Sequence, residues 1–137
     1  MCVEFIPDTG IGDLTAARQI YEAVGDDHFG VMLDAWHFAR SGGTLDQLDG
    51  LPTGMITILQ LCDRTEPEPG AAYVPMAGRL LPGKGELQLV ELTQRVLADH
   101  PDVVVGVEVF SGELQALAPE QAALLAGVAT REVLALV

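Results

Sequence analysis

Four residues set the chemistry open to this chain. Glu4, Asp34, Gln60 and Glu108 each stand inside or just after one of four short apolar runs. An ionised carboxylate buried among apolar neighbours is costly unless it is paired or bound to a cation. One such residue reads as a strand-end acid that caps a helix or faces solvent. Four of them, one per run, form a pattern. Three carboxylates and an amide oxygen drawn together make a hard, oxygen-rich site of the kind that takes Mg²⁺, Mn²⁺ or a similar divalent ion. His37 follows Asp34 at D-x-x-H spacing, and beside a metal ligand it is a candidate to hydrogen-bond a substrate oxygen. Arg79, in RLLPGKG, is placed to reach an oxyanion or a hydroxyl. Taken alone, His37 between Trp36 and Phe38 reads as a packed or exposed histidine, and Arg79 as a solvated loop charge. The PGKG segment is not a phosphate loop, because it lacks the GxxxxGK[ST] spacing.

The four runs must be carried by elements that bring them together. Residues 2–6 (CVEFI), 29–34 (FGVMLD), 55–62 (MITILQLC) and 103–109 (VVVGVEV) read as strands. Asp13 is the expected N-cap of a helix over 14–24, where Leu14, Ala17, Ile20, Tyr21 and Val24 recur at helical spacing and Gly25 is the stop. Thr44 and Gln47 have the spacing of a capping box for a short helix in TLDQLDGL. Residues 86–98 form an amphipathic pattern that Pro101 breaks, and a last helix runs from Pro119 to about Leu136. Between the third strand and the 86–98 helix lies a loop rich in proline and glycine, residues 63–85, of a length that is usually functional or mobile. Within it, Gly83 and Gly85 permit tight turns.

Strands alternating with helices imply a parallel sheet and an α/β class, with residues 1–137 as one domain. A closed (β/α)8 barrel needs about 250 residues. The pattern alone therefore leaves open half a barrel and a small, open, flavodoxin-like sheet.

Composition narrows the partners. The 137 residues are 49% hydrophobic and 20% charged, so the chain can bury a core. A net charge of -13, with no basic stripe, argues against a nucleic-acid groove and against anionic membranes, and it counts against a DNA-repair endonuclease. No apolar run reaches the roughly 18 residues of a membrane span, and MCVEFIPDTG has no basic leader region, so a cytoplasmic protein is expected. Cys2 and Cys62 belong to no CxxC pair and are expected to be reduced, buried thiols.

The segments VEFIPDTGIGD, GVMLDAWHFARSGG, ILQLCD, RLLPGKGEL and GVEVFS carry a resemblance. In order and spacing they are similar to successive blocks in the C-terminal half of sugar phosphate isomerase/epimerase proteins, the xylose isomerase-like TIM-barrel family. The D-x-x-H after a strand, the R-x-x-PG-x-G loop and the GVEV strand are specific in combination, and the resemblance spans essentially the whole chain.

The resemblance implies a parallel (β/α)4 half of a TIM barrel. It implies a divalent ion, Mn²⁺ or Mg²⁺ before Co²⁺ or Zn²⁺, held by Glu4, Asp34, Gln60 and Glu108. Many members have His at the third of these positions; Gln60 resembles the hydroxypyruvate-isomerase-like and dehydroshikimate-dehydratase-like branches. His37 and Arg79 match the family's substrate-binding histidine and arginine, and Glu4 and Glu108 its catalytic pair. The implied reaction is isomerisation, epimerisation or a related dehydration of a small sugar-like hydroxy-carbonyl compound. One glutamate removes a proton beside the carbonyl and the other returns one, through an enediolate. A lone half-barrel leaves two strand edges and one sheet face open. Two copies pairing as a homodimer, a separate N-terminal half, or a longer chain would close it. The alternative is a catalytically degenerate half-barrel that serves as a ligand-binding or assembly module.

Overall fold

The computed structural model describes residues 1–25, 29–66 and 78–137. Its elements run β1 (Cys2–Glu4), α1 (Leu14–Val24), β2 (Gly30–Asp34), α2 (Ala35–Arg40), a 3₁₀ turn (Leu45–Leu48), β3 (Ile56–Leu61), α3 (Leu89–Asp99), β4 (Val104–Val107), α4 (Gly112–Gln115) and α5 (Pro119–Leu134). The strands form one sheet in the order β1-β2-β3-β4, and every pairing is parallel. The expected α/β class and strand order are therefore present.

Local signals account for most of these elements. Asp13 caps α1, its Oδ1 accepting the Ala16 N–H at 2.7 Å, and Gly25 ends the helix at φ 89°. The TLDQLDGL segment makes one 3₁₀ turn rather than a short α-helix, although the Gln47 side chain does accept the Thr44 N–H at 3.1 Å. The amphipathic helix begins at Leu89, three residues later than its pattern suggested, because Glu86 and Leu87 donate their N–H groups back to the segment after β3. Two short helices, α2 and α4, carry no legible periodicity at six and four residues. Of the expected 63–85 loop, residues 67–77 lie outside the described residues.

The core lies between one sheet face and the helices. Val31, Leu33, Leu59 and Leu61 point into it and are fully buried, against Leu14, Ala17 and Tyr21 of α1, Leu92 and Val96 of α3, and Val133 of α5. Strand alternation sends Cys2, Glu4, Met32, Asp34, Ile58, Gln60, Val104 and Glu108 to the opposite face. No helix among the described residues covers that face: Val104 is 64% exposed, and Cys2 is exposed rather than buried as expected. Apolar surface continues around the β4 edge, where Val107, Leu124, Leu125 and Val128 are exposed. No helix among the described residues is long and apolar enough to cross a membrane.

At the opposite end of the sheet from the site, His100 ties α3 to the turn before β3. It is buried, and its Nδ1 accepts the Gly54 N–H at 3.0 Å. Burial holds its pKa below the ordinary 6.5. The folded state thus prefers the neutral ring, and this contribution is full above pH 6.5 and is lost as pH falls from there toward the depressed folded value. The urea midpoint should drop between pH 7.5 and 5. In His100→Asn that pH dependence should flatten, on a chain already less stable at pH 7.5.

Candidate metal centre

The site is built at the C-terminal ends of the strands. On a flat sheet three strand spacings of about 4.8 Å would set β1 and β4 roughly 14 Å apart. Nevertheless, one carboxylate oxygen each from Glu4 on β1, Asp34 on β2 and Glu108 just past β4 all lie within 4.8 Å of one another. The sheet therefore curls, and the uncovered face is its concave one. Gln60 pairs with Asp34 across the β2–β3 ladder and lies on the same face.

Asp34 is the most constrained member. It is fully buried and it ends β2 and caps α2 at once: its Oδ1 accepts the His37 N–H at 2.9 Å. The D-x-x-H spacing is thus the spacing from an N-cap side chain to the third helical amide, and it turns His37 back toward the mouth. The other oxygen, Oδ2, accepts from Arg79 Nη1 at 2.7 Å.

Arg79 reaches further. Its Nη1 also donates to Glu108 Oε2 at 2.9 Å, and its Nη2 lies 3.3 Å from His37 Nε2. Because a guanidinium only donates, Nε2 is the acceptor in this contact. Burial lowers the His37 pKa; Asp34 opposes this, and Arg79 and Arg40 add to it. The His37 Nε2 lies 3.6 Å from Glu4 Oε1. The Arg79 guanidinium also stacks over Trp36 at 5.6 Å and Phe110 at 5.2 Å. Burial disfavours its charge, but Asp34 and Glu108 favour it, and its pKa is raised. Cys62 is buried 3.8 Å from Nη1; burial, then Asp34, pushes the thiol up to about 12, so it sits there uncharged.

The loop that presents Arg79 is clamped by Asp63, two residues past β3. Asp63 and Leu80 exchange backbone hydrogen bonds of 2.9 and 2.7 Å. The Asp63 carboxylate oxygen Oδ1 accepts from the Arg64 and Leu87 amides, each at 2.9 Å. Gly85 passes so close that a Cβ there would meet the Arg64 carbonyl and Asp63 Oδ1. Sequence reasoning missed Asp63; its one signal was an acid following a buried strand, identical in kind to the residues that were singled out.

The oxygen set fits a divalent cation. Glu4 Oε1 and Gln60 Oε1 are buried and have no hydrogen-bond partner. Burial, then the charges of Asp34 and Glu108, raises the Glu4 pKa. An orphaned carboxylate oxygen, an orphaned amide oxygen and three converging acids against a single guanidinium are the marks of a site short of positive charge. The residues that could offer it oxygen ligands are Glu4, Asp34 and Glu108, whose carboxylates converge, with Gln60 on the same face.

No family model matches the chain. Inosose isomerase of Halalkalibacterium halodurans is 31% identical over 135 residues, covering 97% of this chain and 47% of that protein. Inosose isomerase of Bacillus velezensis is 28% identical over 123 residues, covering 88% and 43%. Among solved structures, the IOLI protein with a bound zinc atom superposes with a TM-score of 0.80 at 26% identity, covering 96% of this chain and 48% of that one. Over almost its whole length the chain is thus similar to one half of sugar isomerase/epimerase proteins. A xylose isomerase domain protein of Salmonella typhimurium shares the fold, with a TM-score of 0.78, 18% identity and coverage of 97% and 50%. The chain spans about half the length of the curated relatives it matches, and its four-stranded sheet corresponds to half of a TIM barrel. The earlier choice between half a barrel and a flavodoxin-like sheet is thereby decided.

The clamp makes a prediction. Gly85→Ala and Asp63→Ala should each lower stability by about 2 kcal/mol in chemical denaturation, the first by steric overlap and the second by orphaning the Leu87 amide.

Proposed function

We propose that the chain is one half of a divalent-metal-dependent isomerase or epimerase, or a related dehydratase, acting on a small sugar-like hydroxy-carbonyl compound. The observation that carries this reading is the pair of orphaned oxygens, Glu4 Oε1 and Gln60 Oε1, beside the converging carboxylates of Asp34 and Glu108. A bound divalent ion would polarise the substrate carbonyl and favour charge developing on its oxygen.

The chain's own residues supply the rest. Glu4 and Glu108 come from the two outer strands and bring their carboxylates to one place, which supports assigning them the two proton transfers. One takes the proton from the carbon beside the carbonyl, giving an enediolate, and the other returns a proton. His37 and the Arg79 guanidinium, both at the mouth, hydrogen-bond substrate oxygens. Mn²⁺ or Mg²⁺ suits the all-oxygen set; the zinc in the IOLI protein's structure makes Zn²⁺ a third candidate. An inosose, named in the two isomerase relatives, is the first substrate to try.

The open concave face and the apolar β4 edge call for cover. A second copy or a partner half-barrel would supply it, closing eight strands around one mouth. A second reading, a degenerate half-barrel that binds a ligand or partner without turnover, draws on the same half-length and open face.

Native mass spectrometry with metal analysis should find an assembled barrel holding stoichiometric divalent metal. In that assembly Glu108→Gln should reduce turnover at least about a thousandfold while leaving the far-UV circular dichroism unchanged. Retained turnover would remove Glu108 from the chemistry, and a chain that binds no divalent ion would favour the non-enzymatic reading.

A further inference from the structure

Arg79 stands where the cation's own ligands are. A single nitrogen, Nη1, bridges Asp34 Oδ2 at 2.7 Å and Glu108 Oε2 at 2.9 Å, two of the three carboxylates that converge on the site. The second oxygen of Asp34 is already committed to the His37 amide, so Asp34 has no oxygen free of a donor. The guanidinium is also well seated: it is 6% exposed, lies over the rings of Trp36 and Phe110, and reaches His37 through Nη2. A positive charge held this way against Asp34 and Glu108 repels a second cation and occupies lone pairs that cation needs.

We infer that Arg79 is a built-in competitor for the divalent ion: in the metal-free chain it serves as the counter-charge of Asp34 and Glu108, and metal entry turns it out of those contacts. The inference rests on the metal reading of the site. It goes beyond that reading in giving Arg79 a function before substrate arrives: it keeps the acidic mouth from collapsing into mutual repulsion, and it sets the affinity for metal. A guanidinium released by the ion would be free at the mouth, so site loading and substrate capture would be ordered by one side chain.

Trp36 is the chain's single tryptophan, and it stacks on the moving group, so its emission reports the step directly. Zinc is the suitable probe because its closed shell does not quench. In the full chain, Arg79→Met should bind zinc about tenfold or more tightly than wild type by isothermal titration, since a repelling charge a few Å away is gone. Its melting temperature should be lower without zinc and rise further than wild type at saturation. Equal or weaker binding by Arg79→Met overturns the inference and leaves the metal reading standing. Zinc that binds neither chain, or binds Asp34→Asn as well as wild type, overturns both. Should Arg79→Met fail to fold, wild type decides: Trp36 emission should shift in step with one zinc bound per chain, and unchanged emission at full occupancy overturns the inference.

Discussion

Three carboxylates are drawn to one place by a curled sheet, and nearly everything else at this end of the molecule answers their charge. Asp34 is fully buried, and unpaired it would cost the fold several kcal/mol. It is held instead by the amide of His37 and the guanidinium of Arg79. Glu108 is held by the same guanidinium nitrogen. Glu4 is left without a hydrogen bond at Oε1, and its raised pKa records the deficit. Gln60 Oε1, on the same face, likewise has no donor.

The constraint propagates outward through the loop that carries Arg79. A long side chain anchors two acids only if its own backbone is fixed, and Asp63 fixes it by bonding the loop at Leu80 and again at Leu87. Gly85 is required where the returning chain passes this clamp. The rings of Trp36 and Phe110 both lie close to the guanidinium. Trp36 is delivered by α2, the short helix that Asp34 itself caps. One aspartate therefore ends a strand, starts a helix, orients His37 and holds Arg79.

The half-length match gives this arrangement its context. In a closed barrel the concave face is interior, and residues such as Val104 and Met32 would be buried by the facing strands. In the single chain they look onto solvent or are only partly covered. The strand-end site needs no part of that closure to assemble, since its carboxylates converge within four strands. The pocket walls and the substrate-facing loops do need it.

The sequence alone determined the order of strands and helices, through short apolar runs, the Asp13 cap and the Gly25 stop, because these signals act within a few residues of one another. It also marked Glu4, Asp34, Gln60 and Glu108, because a polar group in an apolar strand is conspicuous wherever the strand lies. It did not reveal α2, whose six residues are too few for a period, nor the Asp63 clamp, whose partners Leu80 and Leu87 lie far along the chain. Cys2 was read as buried because a cysteine in a strand usually is; it is exposed because the face it lies on has no cover in the single chain. Only the tertiary structure decided that Arg79 lies against two of the acids rather than in solvent. That depends on sheet curvature and loop path, which set distances between residues up to 45 positions apart, and no local pattern of residue types encodes them.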